Sequence, residues 1–584
     1  MFKKLSDKVG RISSFFLNHP PGIKDALILS VFVLLITFQP FYTQGEINLF
    51  ELGLYLPGIQ AILDGQIPYR DFFHLRGPLE LYLPALVMKI FGMHLAVMYT
   101  YFYVGNIVCL ILCVWILKEL LSTRFVFYLA VPVLVARTFP RVVFMIWGGM
   151  RYAWGLLAVL LVIKFFKTKR PGWMFAAGVM TSIGLLTSIE IGVCIIAAAV
   201  VTYIISWVVK LEDRKILLRS AGFYFWGNMV VAGPCLSYLA VHHALVPYID
   251  SVISVIQVMQ MHKVLDPHLI STYPHNLPEA LAAMTNFNHT NFKHMTPSYF
   301  YILLLGYLVW RIRKGLFNKI DLGVLFLGSY GFVMYNASFR GIWASQFDMA
   351  LMPEKVLYFF ILEFFLLALV IYSKLSPSGK QAGFGKLSVR IYNWKKMVVY
   401  LFFLGLFLSS IGYAISRYNH RFIAFKIVRD VLMGKNLQEL NPHKELKILS
   451  FPRAKGIKVP AEQADELEAV IQFLNTHTAS GEVVATYPEL GIYNFFADRP
   501  FLGRFPLATF SWFRDPWHEE LISQLKSAKA KYIILQKQMS KDWKDMYLGP
   551  ENNRKKYEET LAIIHSDYKL TASTPDSYIY ELIQ

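Results

Sequence analysis

A chain of 584 residues with 55% hydrophobic and 17% charged side chains, and a mean hydropathy of +0.43, lies far outside the composition of a soluble globular domain. Its formal net charge of +19 would suggest nucleic acid in a soluble protein, but the basic residues cluster in short loops at the ends of apolar runs, where they are orientation signals. The reading is a bilayer protein with no nucleic-acid partner, and the apolar runs lack the period-two alternation of a β-barrel, which leaves helices of about 20 residues.

The basic segment 1–21, with Lys3, Lys4, Lys8 and Arg11, is expected to stay in the cytoplasm. No small-residue cleavage site follows the first apolar run, 26–41, so it reads as a retained span rather than a signal peptide. Loop 42–84 then lies on the outer face. Further spans are expected at 94–117, 125–135, 152–166, 173 to Glu190, 191–209, 222–240, 298–310, 322–335, 356–372 and 397–415, about 11 in all, with 125–135 short for a span. Basic clusters at 118–124, 164–170, 210–215, 311–314 and 374–396 fall on the inner side of this count. The odd number of spans places the chain beyond 415 outside. Arg137, Arg141, Arg151 and Arg340 break the charge rule, and outer arginines suit phosphate binding as well as lipid headgroups.

Two outer loops stand out, 42–84 and 242–297. The second holds His242, His243, His262, His268, His275, His289 and His294, but none of the spacings is a standard zinc signature. Residues 246–261 there read as an amphipathic helix on the bilayer surface. From 416 the composition becomes that of a soluble domain. A helix at 461–476, a strand at 482–486, a helix at 519–528 and a strand at 531–535 predict a small α/β layer domain over 416–584. Its segment 487–500 is a loop and short helix that could face the membrane. The four cysteines, Cys109, Cys113, Cys194 and Cys235, fall inside apolar segments and read as packing residues. No phosphate-binding loop, dinucleotide glycine pattern, HExxH or Gly-x-Ser-x-Gly occurs, and no internal repeat of the kind that marks secondary transporters is evident.

Loop 42–84 carries the densest chemistry. It contains Glu51-Leu-Gly-Leu-Tyr55, Gly65-Gln-Ile-Pro-Tyr69-Arg-Asp71 and Gly77-Pro78-Leu79, with the carboxylates Glu51, Asp64 and Asp71 and the arginines Arg70 and Arg76 between membrane-length apolar runs. By residue type alone it could equally be an ordered, inert connection.

The order of an acidic residue, Gly-x-Tyr, about ten residues, Gly-x-x-Pro-Tyr-x-Asp-Phe and Gly-Pro-Leu before a span resembles the first outer loop of the GT-C integral membrane glycosyltransferases. It is similar to their protein O-mannosyltransferase-like and lipid A aminoarabinose transferase-like branch. The likeness is dense over 51–83; the span number and the terminal outer domain extend it along the chain. It implies an α-helical polytopic GT-C membrane protein with a small C-terminal extracytoplasmic α/β domain. It also implies an inverting enzyme that moves a sugar from a polyprenyl-phosphate carrier to a glycan, lipid or protein acceptor on the outer face of a membrane, here expected to be a bacterial inner membrane.

Carried over residue by residue, the family's acidic position is Glu51. The family often has a second acid directly after it, where this chain has Leu52, so Glu46 stands as a candidate replacement. A single inverting displacement needs one carboxylate to take the acceptor proton, and the departing phosphate needs positive charge. Arg70, Arg76, Arg137, Arg141, Arg151 and Arg340 are the candidates for that charge, with Tyr55, Tyr69 and Asp71 lining the donor site. Asp71 and Arg70 suit pinning the loop as well. Glu190, at the outer end of a span, is a further acidic candidate. No cofactor is required by this chemistry, and a divalent metal is left open. The competing readings are a non-catalytic carrier or flippase for lipid-linked sugar and a protein like the O-antigen ligases or polymerases. A flippase calls for charges spread through the membrane core, and the ligases carry arginines in a long outer loop that 242–297 lacks.

Overall fold

The computed structural model describes residues 19–138, 149–254, 289–338, 350–374, 411–435, 445–507, 514–537 and 551–583, with isolated positions at 405, 408–409 and 548. The chain runs through α1 (Ile23–Ile36), α2 (Leu49–Leu63), α3 (Leu79–Phe91), α4 (Leu95–Leu120), α5 (Arg124–Thr138), α6 (Gly149–Thr168), α7 (Pro171–Thr187), α8 (Ile189–Val208) and α9 (Arg214–Val241). After α10 (Leu245–Ser254) come α11 (His289–Arg313), α12 (Lys319–Ser338) and α13 (Met352–Lys374). Among the described residues four helices are long and apolar enough to cross a membrane, or five if α9 and α10, bent by 108°, count as one span. The expected span at 397–415 lies largely outside the described residues.

Helix α8 shows how such a sequence settles in lipid. Val193, Val200, Ile204 and Val208 form one exposed apolar stripe, whereas Ile191, Cys194, Ile195, Ala198, Thr202 and Ser206 on the other side are buried. Lipid solvates the first stripe as well as protein would, so helix association relies on close fit between small residues. A methyl group on Gly178 would sit 2.2 Å from the Tyr224 carbonyl oxygen, and one on Gly227 would sit 2.1 Å from that of Phe175, so α7 and α9 cross backbone to backbone. At the far end of the bundle from Leu95, Glu363 of α13 accepts from the backbone and hydroxyls of Ser122 and Thr123 at 2.6–2.8 Å, satisfying the donors that open α5.

Loop 42–84 departs from its sequence expectation, for about half of it is helical. Asn48 caps α2 by accepting from the Glu51 amide at 3.0 Å, and α3 follows the turn at Gly77-Pro78. A side chain at Gly77 would meet the Leu186 carbonyl oxygen at 2.0 Å, so this turn lies directly on the end of α7. The second outer loop also differs: α11 begins at His289, eight residues before the expected end of the loop at 297, and α10 covers the first part of the expected surface helix.

After α14 (Ile423–Leu432), residues 445–583 form a three-layer α/β unit. Strands β1 (Leu446–Ile448) and β2 (Lys458–Pro460) pair antiparallel, and β3 (Val484–Tyr487), β4 (Tyr532–Gln536), β5 (Tyr568–Ser573) and β6 (Ser577–Leu582) form a sheet of order β3-β4-β6-β5. β3 and β4 are parallel; β6 is antiparallel to both neighbours. Alternation along the strands divides the core. Val484 and Ile534 face α15 (Ala461–His477), while Ala485, Ile533 and Leu535 face α17 (Asp515–Ala528) and α18 (Glu551–Asp567). The four expected elements are present, and the β5–β6 hairpin, α18 and the β1–β2 pair add to them. Between β3 and α17 lies the short α16 (Ile492–Ala497).

This unit shares a core with the first outer loop. Leu52, Tyr55 and Ile59 of α2 and Leu81 of α3 pack in one cluster with Leu490, Ile492, Tyr493 and Phe496. The change of composition near 415 is therefore not a gap in packing.

Candidate active site

The first turn of α2 puts Glu51 where two bodies meet. Its side chain is 4% exposed, and Oε2 has no hydrogen-bond partner. Around it the turn 74–80 and helix α6 assemble a cationic cluster on a second carboxylate, Glu80. Tyr55 donates its hydroxyl proton to Glu80 Oε1 at 3.0 Å, and Arg76 donates to the same oxygen at 2.9 Å and to the Tyr55 hydroxyl. Arg151, buried on α6, brings its guanidinium to 3.9 Å from that oxygen and donates to the Tyr152 hydroxyl at 3.3 Å. His74 Nε2 stands 3.6 Å from Glu80 Oε2, and neither of those two atoms has a hydrogen-bond partner.

The electrostatics follow from burial. Desolvation raises the Glu51 carboxyl to about 7 against the pull of Arg76 and Arg151, with the Glu80 charge adding to the rise. Burial opposes the charge on Arg76, but Glu80, Tyr55 and Glu51 outweigh it and hold the guanidinium above its ordinary value. Burial lowers His74 to about 4, so the imidazole is neutral at pH 7 although a carboxylate is close by. Burial also keeps the Tyr55 phenol protonated. Two guanidiniums on one carboxylate leave a net positive charge beside Glu51, and a buried carboxyl poised near neutrality is suited to taking up a proton.

Of the residues singled out in the sequence, Glu51, Tyr55, Arg76 and Arg151 come together here. Tyr69 supports them from behind: at φ +72° it turns the chain, and its hydroxyl donates to the Arg76 carbonyl oxygen. Arg70 and Asp71 pair with each other at 2.7 Å; Asp71 also accepts from the Ile67 amide at 2.7 Å and Arg70 donates to the His242 carbonyl oxygen at 3.2 Å. Both serve to pin the turn, and their side chains are engaged outside the Glu80 cluster. Glu46 is exposed, beside an Ile47 backbone held by Gln463. Glu190 opens α8, half-buried, with its charge in reach of Tyr330. Arg137, at the end of α5, lies over the Tyr413 ring at 6.0 Å and within electrostatic reach of Glu354. Next to it Lys355 donates to Thr138 at 3.4 Å, which makes a second cationic group at the ends of α5 and α13. Arg141 and Arg340 lie outside the described residues.

Three further groups near Glu51 were not singled out in the sequence. Glu80, in the first turn of α3, pairs with Arg76 in the bend four residues before it, a spacing the sequence shows. His74 carried no signal. Glu489, in the loop after β3, is buried at 7% exposure, and its carboxyl is raised to about 9 by burial, with the Glu51 charge adding to the rise. Among the described residues no three His, Cys, Asp or Glu side chains converge as metal ligands.

No protein-family model matches the chain, nor does any curated protein. Solved structures do match its fold. ArnT from Cupriavidus metallidurans bound to undecaprenyl phosphate is similar over 96% of this chain and 98% of its own, with a TM-score of 0.52 at 10% identity. The archaeal oligosaccharyltransferase AglB from Archaeoglobus fulgidus, in complex with an inhibitory peptide and a dolichol-phosphate, is similar over 96% of this chain and 74% of its own, with a TM-score of 0.50 at 12% identity. Both are GT-C proteins, and the chain has the GT-C fold.

Proposed function

From the GT-C fold and the cluster around Glu51, we propose that the protein is an inverting glycosyltransferase that moves a sugar from a polyprenyl-phosphate carrier to a glycan, lipid or protein acceptor. In this reading the spans sit in a bacterial inner membrane with the N-terminus in the cytoplasm. Segment 22–415 is the membrane domain, and the α/β unit of 416–584 caps its outer face. The observation that carries the reading is a buried carboxylate with an unpartnered oxygen, at a helix N-terminus, between two guanidiniums and under that cap.

The step needs little from the protein. An acceptor hydroxyl or amine attacks the anomeric carbon from the face opposite the phosphate; the new bond forms as the bond from carbon to phosphate oxygen breaks. Glu51 Oε2 takes the proton the acceptor sheds, and the polyprenyl phosphate departs carrying the electron pair. Arg76 and Arg151, both drawn to Glu80 Oε1, favour the Glu51 carboxylate and present positive charge to the reacting centre. Arg137 and Lys355, at the ends of their helices, are the described cations proposed to meet the carrier phosphate, and Arg141 and Arg340 remain candidates from the sequence alone. Tyr55 acts through Glu80 and Arg76.

The test is release of polyprenyl phosphate from labelled polyprenyl-phosphate sugars by purified protein, with candidate acceptors added. Glu51→Gln is expected to lower turnover by roughly 10²–10⁴-fold, the contribution of a general base, while carrier-lipid binding stays near wild type. Equal turnover in the variant would remove Glu51 from the chemistry; lost binding would make it structural. Carrier lipid bound by the wild type without release under any acceptor would favour a carrier without chemistry.

A further inference from the structure

The five residues that open α2, Glu51-Leu-Gly-Leu-Tyr55, have a near copy in the C-terminal unit, Glu489-Leu-Gly-Ile-Tyr493. The copies pack against each other through their glycines. A methyl group on Gly491 would lie 3.3 Å from the Gly53 carbonyl oxygen and 2.1 Å from that of Pro506; one on Gly53 would lie 3.4 Å from the Ile492 amide nitrogen. Each glutamate stands two residues ahead of its glycine, both are buried, and each feels the other's charge or the charges around it: Arg76, Arg151, Glu80 and Tyr55 surround Glu51, and the charge that reaches Glu489 is that of Glu51.

Two carboxylates buried at one interface cannot both ionise cheaply, and a shared proton relieves the repulsion. The cations lie on the Glu51 side, so the negative charge belongs there and the proton on Glu489. We infer that Glu489 is a positioning residue of the site: its carboxyl and that of Glu51 hold one proton between them, so that the C-terminal unit, by docking, supplies the second acid that the first outer loop lacks.

The catalytic consequence rests on Glu51 being the base proposed above. The active form is the pair with one proton. During transfer Glu51 takes the acceptor's proton, the pair then holds two, and one returns to solvent before the next turnover. Loss of the remaining proton at alkaline pH puts two negative charges at the interface and stops the cycle. The pair therefore bounds activity on both sides, through two steps that belong to the pair rather than to either residue.

The experiment uses full-length purified protein and reads the carboxyls directly. Infrared spectra recorded across pH should show a neutral-carboxyl band in wild type that persists above pH 7 and titrates near pH 9, is missing in Glu489→Gln and returns in Glu489→Asp. In parallel, the rate of polyprenyl phosphate release should be bell-shaped in wild type. In Glu489→Gln the alkaline limb is lost, so that one pH unit above the wild-type limb the variant retains roughly tenfold more of its own optimal rate than wild type does, and Glu489→Asp keeps the limb. A Glu489→Gln protein with the wild-type band, or with an unchanged alkaline limb, overturns the pair and leaves the transfer reading intact. The variant-sensitive band without release of polyprenyl phosphate by wild type supports the pair and overturns the transfer reading.

Discussion

Buried carboxylates in this protein divide by how they are satisfied. Glu466, 2% exposed, accepts from the Tyr493 hydroxyl at 3.3 Å, the Thr574 hydroxyl at 2.9 Å, the Asp576 amide at 2.9 Å and the Ser577 hydroxyl at 2.7 Å, so its charge is consumed in holding the β5–β6 turn to α15. Glu51 is as deeply buried and leaves Oε2 unpartnered, a cost that a purely structural residue has no reason to bear. The same difference sets a pH dependence. Carboxyls raised from 4.5 to about 7 and about 9 bind protons in the folded state that the unfolded chain has already lost. Their contribution to stability is complete below pH 4.5 and disappears as pH rises through 7 and then 9. Wild type is therefore expected to unfold at progressively lower temperature from about pH 5 to 9, and the double variant Glu51→Gln, Glu489→Gln to show a flatter profile; parallel profiles would mean the two carboxyls are not raised together. Of these residues the sequence exposed Glu51, because its place before Gly-x-Tyr is a local pattern. Glu489 stands before the same Gly-x-Tyr pattern, but 438 positions away, and only the packing of the two segments against each other marks it as part of the site.

At the scale of elements, the site depends on glycines that let backbones touch. The α2–α16 contact exists because Gly53 and Gly491 lack side chains, and the Gly77 turn rests on the end of α7 for the same reason. Gly491→Ala would drive a methyl group to 2.1 Å from the Pro506 carbonyl oxygen. It should destabilise the C-terminal unit by about 1–3 kcal/mol, the usual cost of overpacking, and should raise protease cleavage there. An alanine variant with wild-type melting and cleavage would show that the interface is looser than this. Apolar periodicity and length made most helices legible, because lipid demands long uninterrupted runs. Helices α2 and α3 were missed because Pro57, Pro84 and the surrounding turn residues resemble a loop; tertiary packing overrides that local bias. Strands β3 and β4 were read from their hydrophobic runs, whereas β5, largely exposed, lacks one.

Across the whole molecule, the C-terminal unit is fastened to loop 42–84 and to the start of α4 at several separated points. Gln463 exchanges hydrogen bonds with the Ile47 backbone at 2.7 and 2.8 Å, and the Leu95 amide donates to the Arg453 carbonyl oxygen at 2.8 Å. Arg504 pairs with Glu520 at 2.6 Å, donates to the Tyr69 carbonyl oxygen at 2.9 Å and accepts from the Phe73 amide at 2.6 Å. Tyr69 in turn holds Arg76, so the latch reaches the cationic cluster through one residue. Arg504→Ala should increase amide exchange over 69–76 and lower the turnover proposed for the site, with the membrane helices unchanged in exchange; uniform exchange throughout would argue that this latch carries no load.

The bilayer setting, the course of most helices, the loop rich in chemistry and the elements of the α/β unit can all be read along the chain, because composition, periodicity and the charges at span ends are local properties that a bilayer converts directly into structure. Which charged groups share a site cannot be read that way and depends on packing. Arg151 arrives from α6, Glu80 from the start of α3 and Glu489 from the C-terminal unit, whereas Arg70 and Asp71, within the motif in sequence, turn away to bind each other. Proximity along the chain says little about such groupings, since the fields that set a carboxyl's proton affinity act through space and depend on what burial has removed from water.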